Sequence, residues 1–288
     1  MGSPSEATPG ARRNPLGGRE FQLRLVSGLV LAAIVVSALI LGGGPFAFIW
    51  LAAALVGTAE WIGMSRTGPR RLLLIVIGAT LTGLVLCLRE GAAPHVFLIV
   101  AALGVTGILV LAQDGPARGR AVAGLFGGTV VALVPPGLRD DPAIGILGPA
   151  WMFAVVWSTD VVAYITGRTF GGPKLMPAVS PKKTWSGALG GLAAGTAAGI
   201  GLIALARGYD WSPLAATSLV LVGLVSAAAS VFSQAGDLAE SALKRHWGVK
   251  DSGRSIPGHG GVMDRLDGFA AVALLAGLYL LAHRMGVV

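Results

Sequence analysis

The stretch 241–268 reads SALKRHWGVKDSGRSIPGHGGVMDRLDG. It holds Lys244, Arg245, Lys250, Asp251, Arg254, Asp264, Arg265 and Asp267, 8 of the 36 charged residues of the chain. Asp237 stands just upstream, 27 residues before Asp264. Two carboxylates that meet beside an anionic substrate meet the ordinary requirements of Mg²⁺, which takes one or two carboxylates, keeps some waters and accepts phosphate oxygens. The bases between them suit phosphate, since Lys and Arg neutralise it and Arg grips it with two parallel bonds. The turn IPGHGG brings Pro257 and three glycines, whose free N–H groups can cradle an anion. His259 in that turn is a candidate phosphate donor. It is a poor metal ligand, because no second His or Cys stands at usable spacing. The preceding run SQAGDLAESALKRHWG has a helical period, which puts Asp237, Ser241 and Lys244 on one side and pairs Glu240 with Lys244.

A second polar stretch, WSTDVVAYITGRTFGGPKLMPAVSPKKTWSG, covers 157–187. Asp160 lies inside an apolar run with Tyr164 one turn on. An ionisable residue at such a place is a functional candidate by default, because burying its charge in lipid is costly. Arg168, Lys174, Lys182 and Lys183 follow, interleaved with the hydroxyls of Ser180, Thr184 and Ser186. Cations and hydroxyl donors mixed with glycine suit a polyphosphate.

The elements that carry these residues are set by composition. Of 288 residues, 54% are hydrophobic and 12% charged, against about 25% charged in a soluble domain. The solvent is therefore a bilayer. The pattern predicts an all-α, polytopic integral membrane bundle of about nine transmembrane helices, near 23–41, 46–64, 72–88, 95–112, 121–135, 146–167, 186–206, 214–234 and 268–284. The fifth is short, and the first reads as an uncleaved helix. Residues 1–20 read as a disordered basic tail, 21–140 as N-terminal transmembrane helices, and 141–288 as a catalytic transmembrane domain with cytoplasmic loops at 168–185 and 235–267. Cys87, the single cysteine, excludes an intrachain disulfide. With the N-terminus cytoplasmic, 18 of the 22 Lys and Arg residues fall on the inner side, as the positive-inside rule requires. Both long polar stretches are then inside, and the outer connections are short turns. The net charge of +8 thus reflects inner loops facing anionic lipid and substrate, and nucleic acid is not expected as a partner.

The spacing Ser241, Lys244-Arg245, Lys250-Asp251, His259-Gly260-Gly261, Asp264-Arg265 and Asp267 resembles the signature of the phosphatidate cytidylyltransferases, or CDP-diacylglycerol synthases. GDLAES and SPKKTWSG look like that family's too. The resemblance covers roughly 150–270, and the first 140 residues match only as a set of apolar spans. It implies transfer of CMP from CTP to phosphatidic acid, with pyrophosphate released, in phospholipid biosynthesis. It also implies one or two Mg²⁺ ions, a site on the cytoplasmic face of the inner (cell) membrane, and a homodimer. Carried over by position, Asp237 and Asp264 match the metal-binding carboxylates. Lys244, Arg245 and Lys250 would offset charge on the leaving group, with Asp251, His259, Arg265 and Asp267 completing the catalytic set. Ser180, Lys182, Lys183 and Thr184, with Arg168 and Lys174, would take CTP phosphates. Asp160, Tyr164 and Ser241 would complete the substrate contacts. The rival reading is an ion-coupled secondary transporter that uses Asp160 and Asp237. It expects functional polar residues on both faces and repeated halves, and the sequence shows neither.

Overall fold

The computed structural model describes residues 19–209, 213–256 and 260–285. Residues 1–18 of the expected tail at 1–20, and His259, lie outside these, and Arg19 and Glu20 open the first helix. The described chain runs α1 (Arg19–Leu41), α2 (Gly43–Met64), α3 (Arg70–Arg89), α4 (Pro94–Leu111), α5 (Gly115–Arg139), α6 (Leu147–Phe170), β1 (Lys174–Met176), β2 (Ser180–Thr184), α7 (Trp185–Ala206), a 3₁₀ turn (Pro213–Ala216), α8 (Leu219–His246) and α9 (Met263–Arg284). In hydrocarbon every backbone N–H and C=O must be satisfied within its own segment, and helices do this. Among the described residues, α2 to α9 are eight helices long and apolar enough to span a bilayer, and α1 contributes a shorter apolar run, Val26–Leu41. The protein is an all-α, multi-pass membrane bundle. Its large exposed side chains, such as Leu98, Val110 and Val220, belong to the surface that lipid covers.

The helices alternate as the basic residues require. At one face Trp61 of α2 donates its indole N–H to the Arg120 carbonyl of α5 (2.7 Å) and meets Trp247 edge-on, with centroids 5.1 Å apart. At the other face Arg89 pairs with Asp140 (2.7 Å), and Arg139 donates to the Leu39 carbonyl (3.0 Å). Among the described residues, the inner connections of the sequence reading thus share one face, and the outer ones share the opposite face.

One apolar core runs across both halves of the chain. At its middle Trp50 of α2 stacks on Phe269 of α9 (4.7 Å), and Phe153 of α6 stacks on Phe269 (5.4 Å). Helix α7 lays Gly187, Gly191, Gly195 and Gly199, one per turn, against its neighbours. Small residues at this spacing let helix backbones approach where lipid gives no hydrophobic drive. Polar bonds tie α6 to α8 within the bundle: Thr159 and Ser230 share a hydroxyl bond (2.8 Å), and Trp151 donates to Ser226 (2.9 Å).

Three elements differ from the sequence reading. The fifth span is not short: Asp114 caps it by accepting from the Ala117 N–H (2.6 Å), and the helix continues through Pro135 and Pro136 to Arg139. The inner loop expected at 235–267 is mostly helix, because α8 continues unbroken to His246 and α9 begins at Met263. The true connection is 247–262. The inner loop expected at 168–185 contains a two-stranded antiparallel hairpin, pairing Lys174 with Thr184 and Met176 with Ser180.

Candidate active site

Helices α8 and α9 cross on glycines. A Cβ on Gly236 would stand 2.8 Å from the Asp267 carbonyl and 2.7 Å from Ala271 Cβ. Only glycine therefore lets the two backbones meet here, and the crossing sets Asp237 beside the first turn of α9. That turn carries Asp264 and Arg265, and Asp267 follows at the start of the next.

Asp264 is held from three directions. Lys244 Nζ donates to its Oδ1 (2.7 Å), the Ser252 N–H reaches both oxygens (2.9 and 3.2 Å), and the Gly261 N–H reaches Oδ2 (2.8 Å). Gly260, at φ +84°, makes the turn that aims this last N–H. Lys244 also lies 3.4 Å from Glu240 Oε1, so one ammonium bridges two carboxylates. The Asp264 carboxylate is thus a clamp that closes loop 247–262 onto α9 and α8.

The hairpin meets the same place. Lys183 of β2 forms an ion pair with Asp237 of α8, and Ser241 donates to Asp237 Oδ1 at 3.5 Å. Thr184 ends the hairpin and caps α7 by accepting from the Gly187 N–H (3.2 Å). Arg168 donates to the Tyr164 hydroxyl one turn earlier on α6 (2.8 Å).

A cavity of ≈ 1410 Å³ collects these groups. Its polar wall includes Asp160, Tyr164, Arg168, Lys174, Lys182, Lys183, Thr184, Asp237, Lys244, Asp251, Asp264, Arg265 and Asp267. Its apolar wall includes Ile34 and Val35 of α1, Trp50 and Val56 of α2, and Phe153 and Trp157 of α6. The two polar stretches of the sequence, far apart in the chain, therefore share one chamber. Four of the singled-out residues stand elsewhere. Arg245 and Lys250 are exposed off the cavity wall, Ser180 opens β2 beside it, and Ser241 acts through Asp237.

Asp160, Asp237 and Asp267 are close enough to repel one another. Among the described residues no three acidic, His or Cys side chains converge as a ready metal cage. Mg²⁺ does not need one, since substrate phosphates and water complete its shell. Carboxylates on the cavity wall fit such an ion: Asp237, paired with Lys183, Asp264, and Asp267, which accepts from the Gly268 N–H (2.7 Å), all stand there.

The sequence reading missed Glu60 of α2. It is buried, and it accepts from Ser255 Oγ (2.6 Å), Val262 N–H (3.0 Å), Met263 N–H (2.9 Å) and Ser252 Oγ (3.2 Å). The signal was present: a lone carboxylate near the end of an apolar span.

Comparison with known proteins extends the resemblance well beyond 150–270. The cytidylyltransferase family model matches residues 22–283. A phosphatidate cytidylyltransferase of Brucella abortus is 42% identical over 264 residues, covering 90% of this chain and 92% of that protein. One from Staphylococcus haemolyticus is 44% identical over 131 residues, covering 46% of this chain and 48% of that protein. The apolar helices α1 to α5 are therefore part of the match, and the chain belongs to the cytidylyltransferase family.

Proposed function

We propose that the chain is a phosphatidate cytidylyltransferase, which transfers CMP from CTP to phosphatidic acid to give CDP-diacylglycerol and pyrophosphate. The supporting observation is the single cavity with two kinds of wall. Its basic, hydroxyl-bearing side suits a triphosphate, and its apolar side, built from α1, α2 and α6, suits acyl chains. Each buried CH₂ is worth about 0.8 kcal/mol, so phosphatidate stays in the bilayer and CTP must come to it. The transporter reading falls away: the relatives are named as cytidylyltransferases, and Asp160 and Asp237 share one chamber.

A phosphate oxygen of phosphatidate attacks the α-phosphorus of CTP. A new P–O bond forms there, the bond to the β-phosphate oxygen breaks, and the electron pair leaves with pyrophosphate. The attacking oxygen is already ionised near neutral pH, its second pKa being about 6, so no strong general base is required. Repulsion between the two anions is the main obstacle. Lys182, Lys183, Lys174 and Arg168 draw in the triphosphate, and Lys244 and Arg265 add positive charge near the reacting atoms. Lys183 offsets the Asp237 charge before substrate arrives. Asp237 and Asp267, with Asp160 nearby, would hold Mg²⁺, which offsets charge on the triphosphate and the leaving group. Asp264, the other metal-binding carboxylate of the sequence reading, stands on the same wall and also serves as the clamp described above. The basic face is the cytoplasmic one, in the inner membrane, and two copies of the chain pair as a homodimer.

The test is a radiolabelled CTP assay on purified protein with phosphatidate in mixed micelles, with and without Mg²⁺. Labelled CDP-diacylglycerol formed only with both lipid and metal is the expected result. Absence of that product from folded protein would sink the reading.

A further inference from the structure

Glu60 has no place on the cavity wall, yet its surroundings are built around its charge. A carboxylate offers about four acceptor sites. Two serine hydroxyls and two backbone N–H groups fill them here. Val262 and Met263 are the cap and first residue of α9. The leading N–H groups of a helix have no partner within it and sit at the positive end of its dipole. Glu60, from another helix, supplies both the acceptors and the opposite charge. Gly253 and Gly261 close over it, and a Cβ on either would stand 2.6 Å from a Glu60 oxygen.

The next residue secures the other end of the same loop. Trp61 packs edge-on against Trp247 and is itself fixed by its bond to the Arg120 carbonyl. Adjacent residues of α2 thus dock both ends of loop 247–262. The start of α9, which Glu60 caps, presents Asp264, Arg265 and Asp267 to the cavity.

We propose that Glu60 is a positioning residue for cytidylyl transfer: it fixes the angle and register at which α9 presents these three residues, without touching substrate. This rests on the functional reading above. Glu60→Gln keeps the shape, but its amide donates where the carboxylate accepted. A serine can rotate to accommodate that, whereas a backbone N–H cannot, so Val262 or Met263 loses its acceptor.

The test compares wild type, Glu60→Gln and a Ser252→Ala/Ser255→Ala double variant, each purified as folded protein in detergent. Glu60→Gln should lower kcat about tenfold to a hundredfold while KM for CTP changes less than about threefold. Trypsin should cut faster after Lys250 and Arg254. The double variant keeps the charge and both backbone bonds, so its kcat should fall only about threefold to tenfold. Wild-type kcat in Glu60→Gln, or loosened proteolysis with unchanged kcat, would overturn the proposal. If Glu60→Gln does not fold, a double variant with wild-type kcat and wild-type proteolysis overturns it instead. A wild-type protein that makes no CDP-diacylglycerol would refute the functional reading, and the proteolysis would still report on the docking.

Discussion

Asp264 and Asp237 look alike in the sequence, and the structure gives them different surroundings. Asp264 is tied to Lys244 and to two backbone N–H groups. In Asp264→Asn the amide must face a backbone donor or the ammonium, and the pair is partly buried. Breaking a fully buried pair costs about 3–5 kcal/mol; the cost here is smaller, because the pair is only partly buried and Lys244 retains Glu240. We expect kcat to fall at least about a hundredfold and loop 247–262 to become protease-sensitive; a fall in kcat with an unaltered loop would restore Asp264 to a purely metal-binding role. Lys183 carries a different prediction. Lys183→Ala should raise KM for CTP about tenfold, the scale of one charge-assisted phosphate contact. It should also lower the Mg²⁺ concentration for half-maximal activity, since Asp237 is released. Titrations of CTP and Mg²⁺ check the two effects separately, and an unchanged KM would remove Lys183 from the nucleotide site. Most of the cavity's charged residues were legible because charge is rare in this chain. Glu60 could have been singled out by its lone charge in an apolar span, but its partners could not, because they lie 192 to 203 residues away, a distance no local pattern spans.

At the scale of elements, the helical period of 233–248 was readable, but its continuity with the preceding span was not. The segment's charges placed it in the inner loop 235–267, whereas α8 runs unbroken through them to His246, with the cavity and α9 facing its charged side. Gly236 is the hinge of this arrangement in packing terms. Gly236→Val should push α9 away from α8, with overpacking costing about 1–3 kcal/mol. Lower thermal stability in detergent together with lost activity is expected, and unchanged behaviour would mean the crossing is looser than the contacts imply. The hairpin escaped the reading because its strands have three and five residues, too short for alternation to show. Its last residue gives a clean separation of roles. Thr184→Ser should behave as wild type, since serine caps equally well. Thr184→Ala should cost about 1 kcal/mol of stability with little change in KM for CTP. A raised KM with unchanged stability would make Thr184 a substrate ligand first and a cap second.

At the scale of the whole molecule, two independent patterns agree. The positive-inside distribution, 18 of 22 Lys and Arg residues on one set of connections, came from charge alone. The bundle then gathers the described inner connections at one face, with the cavity's polar wall among them. Neither pattern requires the other, because a bundle can alternate correctly with its site at either end. Their coincidence fits the supply of reactants: CTP is made in the cytosol, and an enzyme with this face outward would lack its nucleotide. The orientation can be read by labelling. Cys87 is the single cysteine, so Cys87→Ala gives a blank background. Met176→Cys in the hairpin and Tyr209→Cys after α7 then add one exposed thiol at each face. A membrane-impermeant maleimide on intact cells should label Tyr209→Cys alone, and Met176→Cys should react only after the membrane is opened. The reverse pattern would place the cavity outside the cell and would overturn both the topology and the supply of CTP on which the mechanism depends.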